Sequence, residues 1–181
     1  MKLDVAQKGV LSRSFVILLA TLLITVLLTG CAATSTTVVD EEVVNNPKPM
    51  ASYKLLLVHE FDLKRDLYTN VPEARMDSRE RHYAEIPSQL ALQVQRYVKS
   101  KHIYQDVLLD GDVTDTTLIL KGRFTKVGRF RISVEAVLQD GATGHEVAYF
   151  KETLWDVFDT MEGIGRLGRE IADFIDRIQY K

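Results

Sequence analysis

Phe130-Arg131-Ile132-Ser133-Val134-Glu135-Ala136-Val137-Leu138-Gln139 sets Phe130, Ile132, Val134, Ala136 and Leu138 against Arg131, Ser133, Glu135 and Gln139. Successive side chains of an extended chain point to opposite faces, so a period of two predicts a β-strand with one buried and one wet face. Asp140-Gly141-Ala142-Thr143-Gly144 follows with the composition of a turn, and 145–153 reads as the returning partner strand. The hairpin is the unit around which the rest of the chain is placed.

Upstream, 116–127 reads as a longer strand in which Leu118, Leu120, Gly122 and Phe124 share a face, punctuated by Gly128. Residues 103–109 make a short strand, and 53–62 (YKLLLVHEFD) a buried one, being a short apolar run bounded by polar residues. Two segments carry helical spacing. Pro87 suits the first turn of a helix running to about 101, with Leu90, Val94, Tyr97 and Val98 on one stripe. Asp159, followed three residues on by Glu162, has the form of a capping box. Behind it Ile164, Leu167, Ile171, Ala172, Phe174, Ile175 and Ile178 fall on one face, and Arg166–Glu170, Arg169–Asp173 and Asp173–Arg177 are spaced as i,i+4 pairs. The expected fold is α/β (α+β): one mixed, mainly antiparallel sheet packed against two principal amphipathic helices. Trp155 is expected in a core cluster with Phe150 and Phe158.

Ahead of this domain the chain changes character. Lys2, Lys8 and Arg13 form a positive leader, and 15–28 is apolar apart from Thr21 and Thr25. That run falls short of the roughly 20 residues of a spanning helix and has the layout of a secretory signal. It ends in Leu28-Thr29-Gly30-Cys31, on the only cysteine of the chain. A cysteine at that boundary resembles the bacterial lipobox, in which the thiol is acylated and becomes the new N-terminus. Residues 1–30 are therefore expected to be removed, 31–52 to form a lipidated flexible tether rich in Thr, Asn and Pro, and 53–181 to fold in the periplasm. Within the tether Val38-Val39 and Val43-Val44 are apolar points that suit idle linker or a partner's strand edge. Ala32 and Ala33 follow the cysteine without the aspartate that retains enteric lipoproteins at the inner membrane, so the expected site is the outer membrane.

Composition narrows function mostly by exclusion. The net charge of −2 becomes more negative once the leader goes, which leaves no electrostatic footprint for nucleic acid. With Cys31 acylated no thiol remains for a disulfide, a metal or catalysis. His59, His82, His102 and His145 show no metal-ligand spacing, and there is no G-x-S-x-G elbow. Gly163-Ile164-Gly165-Arg166-Leu167-Gly168 matches the dinucleotide G-x-G-x-x-G pattern, but the chain stops at Lys181, before the second strand and acidic residue that the motif needs. Those glycines are expected to let the helix start lie close to the sheet. No cofactor, metal or catalytic group is predicted.

The least generic stretch is 63–86, a long charged connection with Pro72 placed to start a short helix reaching about Tyr83. Arg75, Arg79, Arg81 and Tyr83 are its candidate partner-binding residues, being of types enriched at interface hot spots.

Two further pieces carry a family likeness. Leu118-Ile119-Leu120-Lys121-Gly122-Arg123-Phe124 is an L-x-L-x-G-x-hydrophobic strand, and Leu138, Asp140, Thr143-Gly144 and Glu146-Val147 follow an l-x-D-x-x-T-G-x-v hairpin pattern. Over 53–180 the chain resembles bacterial lipoproteins whose periplasmic domain is similar to the N-terminal domain of TolB and to the curli-secretion lipoprotein CsgG. The resemblance implies a non-catalytic role in an envelope assembly or secretion complex, held to the membrane through Cys31 and contacting an envelope protein partner. The alternative is a periplasmic small-ligand binder or enzyme using a pocket between sheet and helices.

Overall fold

The computed structural model describes residues 37–45, 47–128 and 130–180. In chain order these form β1 (Thr37–Val44), β2 (Leu55–Val58), α1 (Ser78–Ala84), α2 (Ile86–Ser100), β3 (Asp106–Leu108), β4 (Thr117–Lys126), β5 (Arg131–Asp140), β6 (Glu146–Trp155) and α3 (Thr160–Ile178). The strands make one mixed sheet in the order β1-β6-β5-β4-β2-β3. β2 runs parallel to both β3 and β4, while the β4–β5, β5–β6 and β6–β1 pairs are antiparallel. The α/β fold read from the alternation is the one observed.

One face of the sheet is apolar. Leu120 lies opposite Leu138, Phe124 opposite Val134, and Ile132 opposite Leu154. These six side chains are buried together with the stripes of α2 (Leu90, Val94, Val98) and α3 (Ile164, Leu167, Ile171, Ala172, Phe174, Ile175, Ile178). Phe150 of β6 meets Phe174 of α3 at 4.9 Å between ring centroids. Two glycines of the G-x-G-x-x-G match permit close packing, Gly163 against the sheet side as expected and Gly168 against α2 instead. A Cβ at Gly163 would stand 2.9 Å from Val157 Cγ1, and one at Gly168 would stand 2.6 Å from Gln93 Cβ on α2. Gly165 faces open space, so it serves no packing need.

The start of α3 is half of the expected box: the Asp159 side chain accepts the N–H groups of Met161 (2.8 Å) and Glu162 (3.1 Å). The charged side chains of α3 work between elements rather than only along the helix. Lys101 at the end of α2 bridges Asp173 (2.7 Å) and Asp176 (3.1 Å), Arg169 lies 5.4 Å over the Tyr97 ring, and Arg177 pairs with Glu42 of β1. Long cationic side chains reach across a helix seam more readily than a fixed i,i+4 geometry suggests.

The segment expected to be a flexible tether, 31–52, requires correction over its described residues. Thr37–Val44 is an edge strand, hydrogen-bonded in register to β6 with an irregularity between Val39 and Glu41. Composition argued that this stretch buries too little to order itself. An edge strand, however, gains its ladder from a sheet already built, and four of its eight residues are valines suited to a pleated surface. Farther on, Lys48 and Tyr53 are tied to the hairpin turn by Asp140, whose carboxylate accepts from Lys48 Nζ (2.7 Å) and Tyr53 Oη (2.9 Å).

Two element boundaries also shift. The strand expected over 53–62 is regular only from Leu55 to Val58, after which Phe61 turns into the core and its ring covers Gly122. The ladder resumes at Asp62, whose N–H donates to the Gly122 carbonyl at 2.8 Å. The helix expected from Pro72 to Tyr83 is split: Pro72 caps a single 3-10 turn, Glu73–Arg75, the buried Met76 follows in extended form, and α1 starts afresh at Asp77. There a full capping box forms, Asp77 Oδ1 accepting from Glu80 N–H (2.8 Å) and Glu80 Oε2 from Asp77 N–H (2.9 Å).

Candidate functional site

Cys31 with Leu28, Thr29 and Gly30 lies outside the described residues. Among the described residues no three His, Cys, Asp or Glu side chains gather as a metal site, and no helix is long and apolar enough to cross a membrane. The features that remain are surfaces and one buried acid.

The 63–86 connection is ordered by its own hydrogen bonds. Arg65 donates to the Val71 carbonyl, Val71 N–H donates to Thr69 Oγ1 (3.1 Å), and Thr69 itself is buried. Of the four residues singled out there, Arg75 and Arg81 are exposed, and Arg81 Nε donates to the Asp77 carbonyl at 3.3 Å. Tyr83 is half-buried against the core and lies 6.3 Å from the Tyr68 ring, so its ring is spent on packing the connection down. Arg79 lies on α1.

The second surface is the sheet face opposite the helices, which is arranged in cross-strand rows. One row is charged: Arg123 of β4 pairs with Glu135 of β5 (2.6 Å), Lys151 of β6 approaches Glu135 (3.5 Å), and Glu41 of β1 lies opposite Lys151. The Arg123 guanidinium, through its hydrogen bond, holds the Glu135 carboxyl below its ordinary range. A second row is hydroxylic, with Ser133 and Thr153 3.0 Å apart and Thr153 donating to Asp40 (2.6 Å). A third sets Val137 opposite Tyr149, and Tyr149 opposite Val43. A shallow depression of about 390 Å³ sits over the first and third rows, between Lys121, Arg123, Glu135, Gln139 and Tyr149. Alternating charges on neighbouring strands satisfy one another, so this face needs no covering layer.

The third feature overturns an expectation. Trp155 and Phe158 are not in the core with Phe150: Trp155 is 43% and Phe158 67% exposed, and Phe130 beside them is 60% exposed. All three stand at one end of the sheet. Arg131 is paired with Trp155 across β5 and β6, its guanidinium 4.9 Å from the indole, and Asp156 N–H donates to the Phe130 carbonyl at 2.9 Å. Trp155 falls on the parity of β6 that faces away from the helices, opposite Arg131, and the chain then passes Asp156 in the left-handed region (φ 56°), ahead of the exposed Phe158. β1 enters at this same end, Thr37 lying opposite Leu154 and the exposed Val38 opposite Thr153. Five residues separate Thr37 from Cys31.

Finally, Glu152 lies on the helix-facing parity of β6, between Phe150 and Leu154, and is 2% exposed. Its Oε1 has no hydrogen-bond partner. Burial, reinforced by the charge of Glu170, pushes its carboxyl up to about 8. Sequence reading passed over this residue, although the parity of the strand was a signal: the same period of two that buries Phe150 and Leu154 buries Glu152.

No family model and no curated protein matches the chain. Solved structures do. PelC from Paraburkholderia phytofirmans, a dodecamer, is 13% identical, with a TM-score of 0.51 over 78% of this chain and 97% of that one. A point variant of the same dodecamer gives 15% identity and a TM-score of 0.50 with the same coverage. A Xanthomonas campestris protein of the DUF330 family model is 15% identical, at a TM-score of 0.38 over 76% of this chain and 88% of that one. At such identities the likeness to PelC is one of fold.

Proposed function

We propose that the chain is a lipid-anchored, non-catalytic assembly module of the bacterial cell envelope, held by acyl chains on Cys31 with its domain in the periplasm. The observation that carries the reading is the coincidence of the exposed aromatic end with the entry of β1. Six residues after Cys31 the chain is a strand, so the chain length alone keeps the anchor within about 20 Å of Thr37 even if fully extended. Trp155, Phe158, Phe130 and Val38 stand at that end. Indole and phenyl rings there suit the interfacial layer of a bilayer, where an apolar body and a polar rim are both satisfied. One acyl chain binds marginally and needs a second signal, which further acylation and these rings would supply together.

The likeness of the hairpin to TolB-type and CsgG-like domains belongs to this reading, as does placement in the outer membrane. PelC, which shares the fold, is a dodecamer, and the module is accordingly taken to work in contact with copies of itself or with an envelope partner. The exposed Arg75 and Arg81 are the contact residues assigned to that partner; Tyr83 is withdrawn because it packs inward.

Metabolic labelling with a palmitate analogue tests the anchor. The wild-type chain should be labelled and sediment with membranes, whereas Cys31→Ser should lose the label and the membrane association together. Equal labelling of the variant would overturn the proposal.

A further inference from the structure

Buried carboxyl groups are ordinarily hydrogen-bonded, and a single orphaned oxygen calls for an explanation. Among the described residues Glu152 Oε1 is such an oxygen. The surroundings of Glu152 differ by element. From β5 it faces Val134, which is apolar and buried. From β1 it faces Val39, which is half-exposed, with the Glu42 carboxylate also nearby. From α3 the charges of Glu170, Arg166 and Arg177 reach it. Arg177 is already engaged by Glu42, and Arg166 has interactions of its own.

We propose that Glu152 is a proton-controlled latch between edge strand β1 and helix α3: the neutral acid lets the seam close, and release of its proton to water opens it by freeing β1 from the sheet. The argument rests on which neighbour can yield. An ionised Glu152 would be a third carboxylate beside Glu42 and Glu170, buried where water does not solvate it. β5 and α3 are packed into the core on this side and cannot move without breaking it. β1 has a neighbour on one side only, most of its side chains from Val38 to Val44 are exposed, and among the described side chains the polar ties are Asp40–Thr153 and Glu42–Arg177, with Val44 packed against the core. The shortest way to bring water to the carboxylate is therefore to lift β1. This inference is independent of membrane anchoring.

The sign follows from linkage. The closed state binds the proton more tightly than an opened, solvated Glu152, so opening is favoured as pH rises from the ordinary carboxyl range and levels off once the closed form also ionises, near pH 8. Hydrogen exchange on the full chain in detergent micelles, corrected for the intrinsic chemical rate at each pH, reads this directly. Protection of the β1 amides should fall by up to about tenfold per pH unit between pH 5.5 and 7.5, the limit for one proton. The β4 and β5 amides should not follow. Glu152→Gln should hold β1 closed with no pH dependence over the same range. A flat wild-type profile, or the same slope in Glu152→Gln, would overturn the latch. Should the variant fail to fold, carbon-detected titration of the wild-type Glu152 carboxyl decides alone: a midpoint well above the ordinary range supports the proposal, and one near 4.5 contradicts it.

Discussion

At the scale of single residues, Asp140 shows how one carboxylate can tie three parts of a chain. It closes the β5–β6 turn by accepting from Ala142 N–H (2.8 Å) and Thr143 N–H (3.1 Å), and holds Lys48 and Tyr53 from the segment before β2. The Lys48 ammonium first, then the turn amides and the Tyr53 hydroxyl, hold its carboxyl well below the usual range. Its stabilising effect is therefore fully present above about pH 4 and is lost as pH falls toward the depressed native value. Asp140→Asn should cost about 2 kcal/mol at neutral pH, since it removes charge-assisted bonds at a buried position. In urea unfolding the wild-type and variant midpoints should converge below about pH 4. An unchanged gap at pH 3 would show that charge is not what Asp140 contributes. The same scale explains Gly122, where the Phe61 ring occupies the space a Cβ would need.

At the scale of elements, the apolar stripe of α3 is the largest single contribution to the core, and Ile171 at its centre is fully buried. Ile171→Asp should cost on the order of 4–5 kcal/mol by burying an unpaired charge, a large share of a domain's total stability. Loss of the cooperative melting transition checks this; wild-type melting would mean that the stripe is not in the core. β5, α2 and α3 were legible because each carries a period of two or 3.6 through its length, β4 because Leu118, Leu120, Gly122 and Phe124 share a face, and β6 because the turn at 140–144 requires a returning strand. β1 was not, because a strand added to an edge takes its order from its neighbour and leaves only a valine-rich stretch as its local trace. The break between Glu73–Arg75 and α1 was hidden for a related reason: Asp77 and Glu80 form a cap that charged-loop composition disguises. Of the candidate contact residues, Arg75 and Arg81 are exposed and Tyr83 is half-buried against the core, a division that the sequence does not carry because an aromatic residue serves packing and recognition equally well. Trp155 and Phe158 were misread by proximity in sequence to Phe150. Trp155 lies on the parity of β6 opposite to Phe150 and Leu154, so the alternation itself exposes it, and the left-handed backbone at Asp156 ends the strand before Phe158.

At the scale of the whole domain, the two sheet faces divide the work. The helix face supplies stability, and the opposite face satisfies its own charges through the Arg123–Glu135–Lys151 row. A mixed sheet with one solvated face is a common solution and does not define a function. What distinguishes this molecule is polarity along the strands. One end carries the β5–β6 turn with its Asp140 ties, and the other carries exposed aromatic rings beside the strand that leads back to Cys31. Trp155 is the chain's single tryptophan, so its emission reports that end without substitution. The acylated chain should be bound to vesicles containing brominated acyl chains, with vesicle binding established separately by flotation. The account predicts that Trp155 emission shifts to the blue, is quenched by the bromines, and becomes shielded from an aqueous quencher. Emission and aqueous quenching identical to those of the unbound domain, on chains that float with the vesicles, would contradict it.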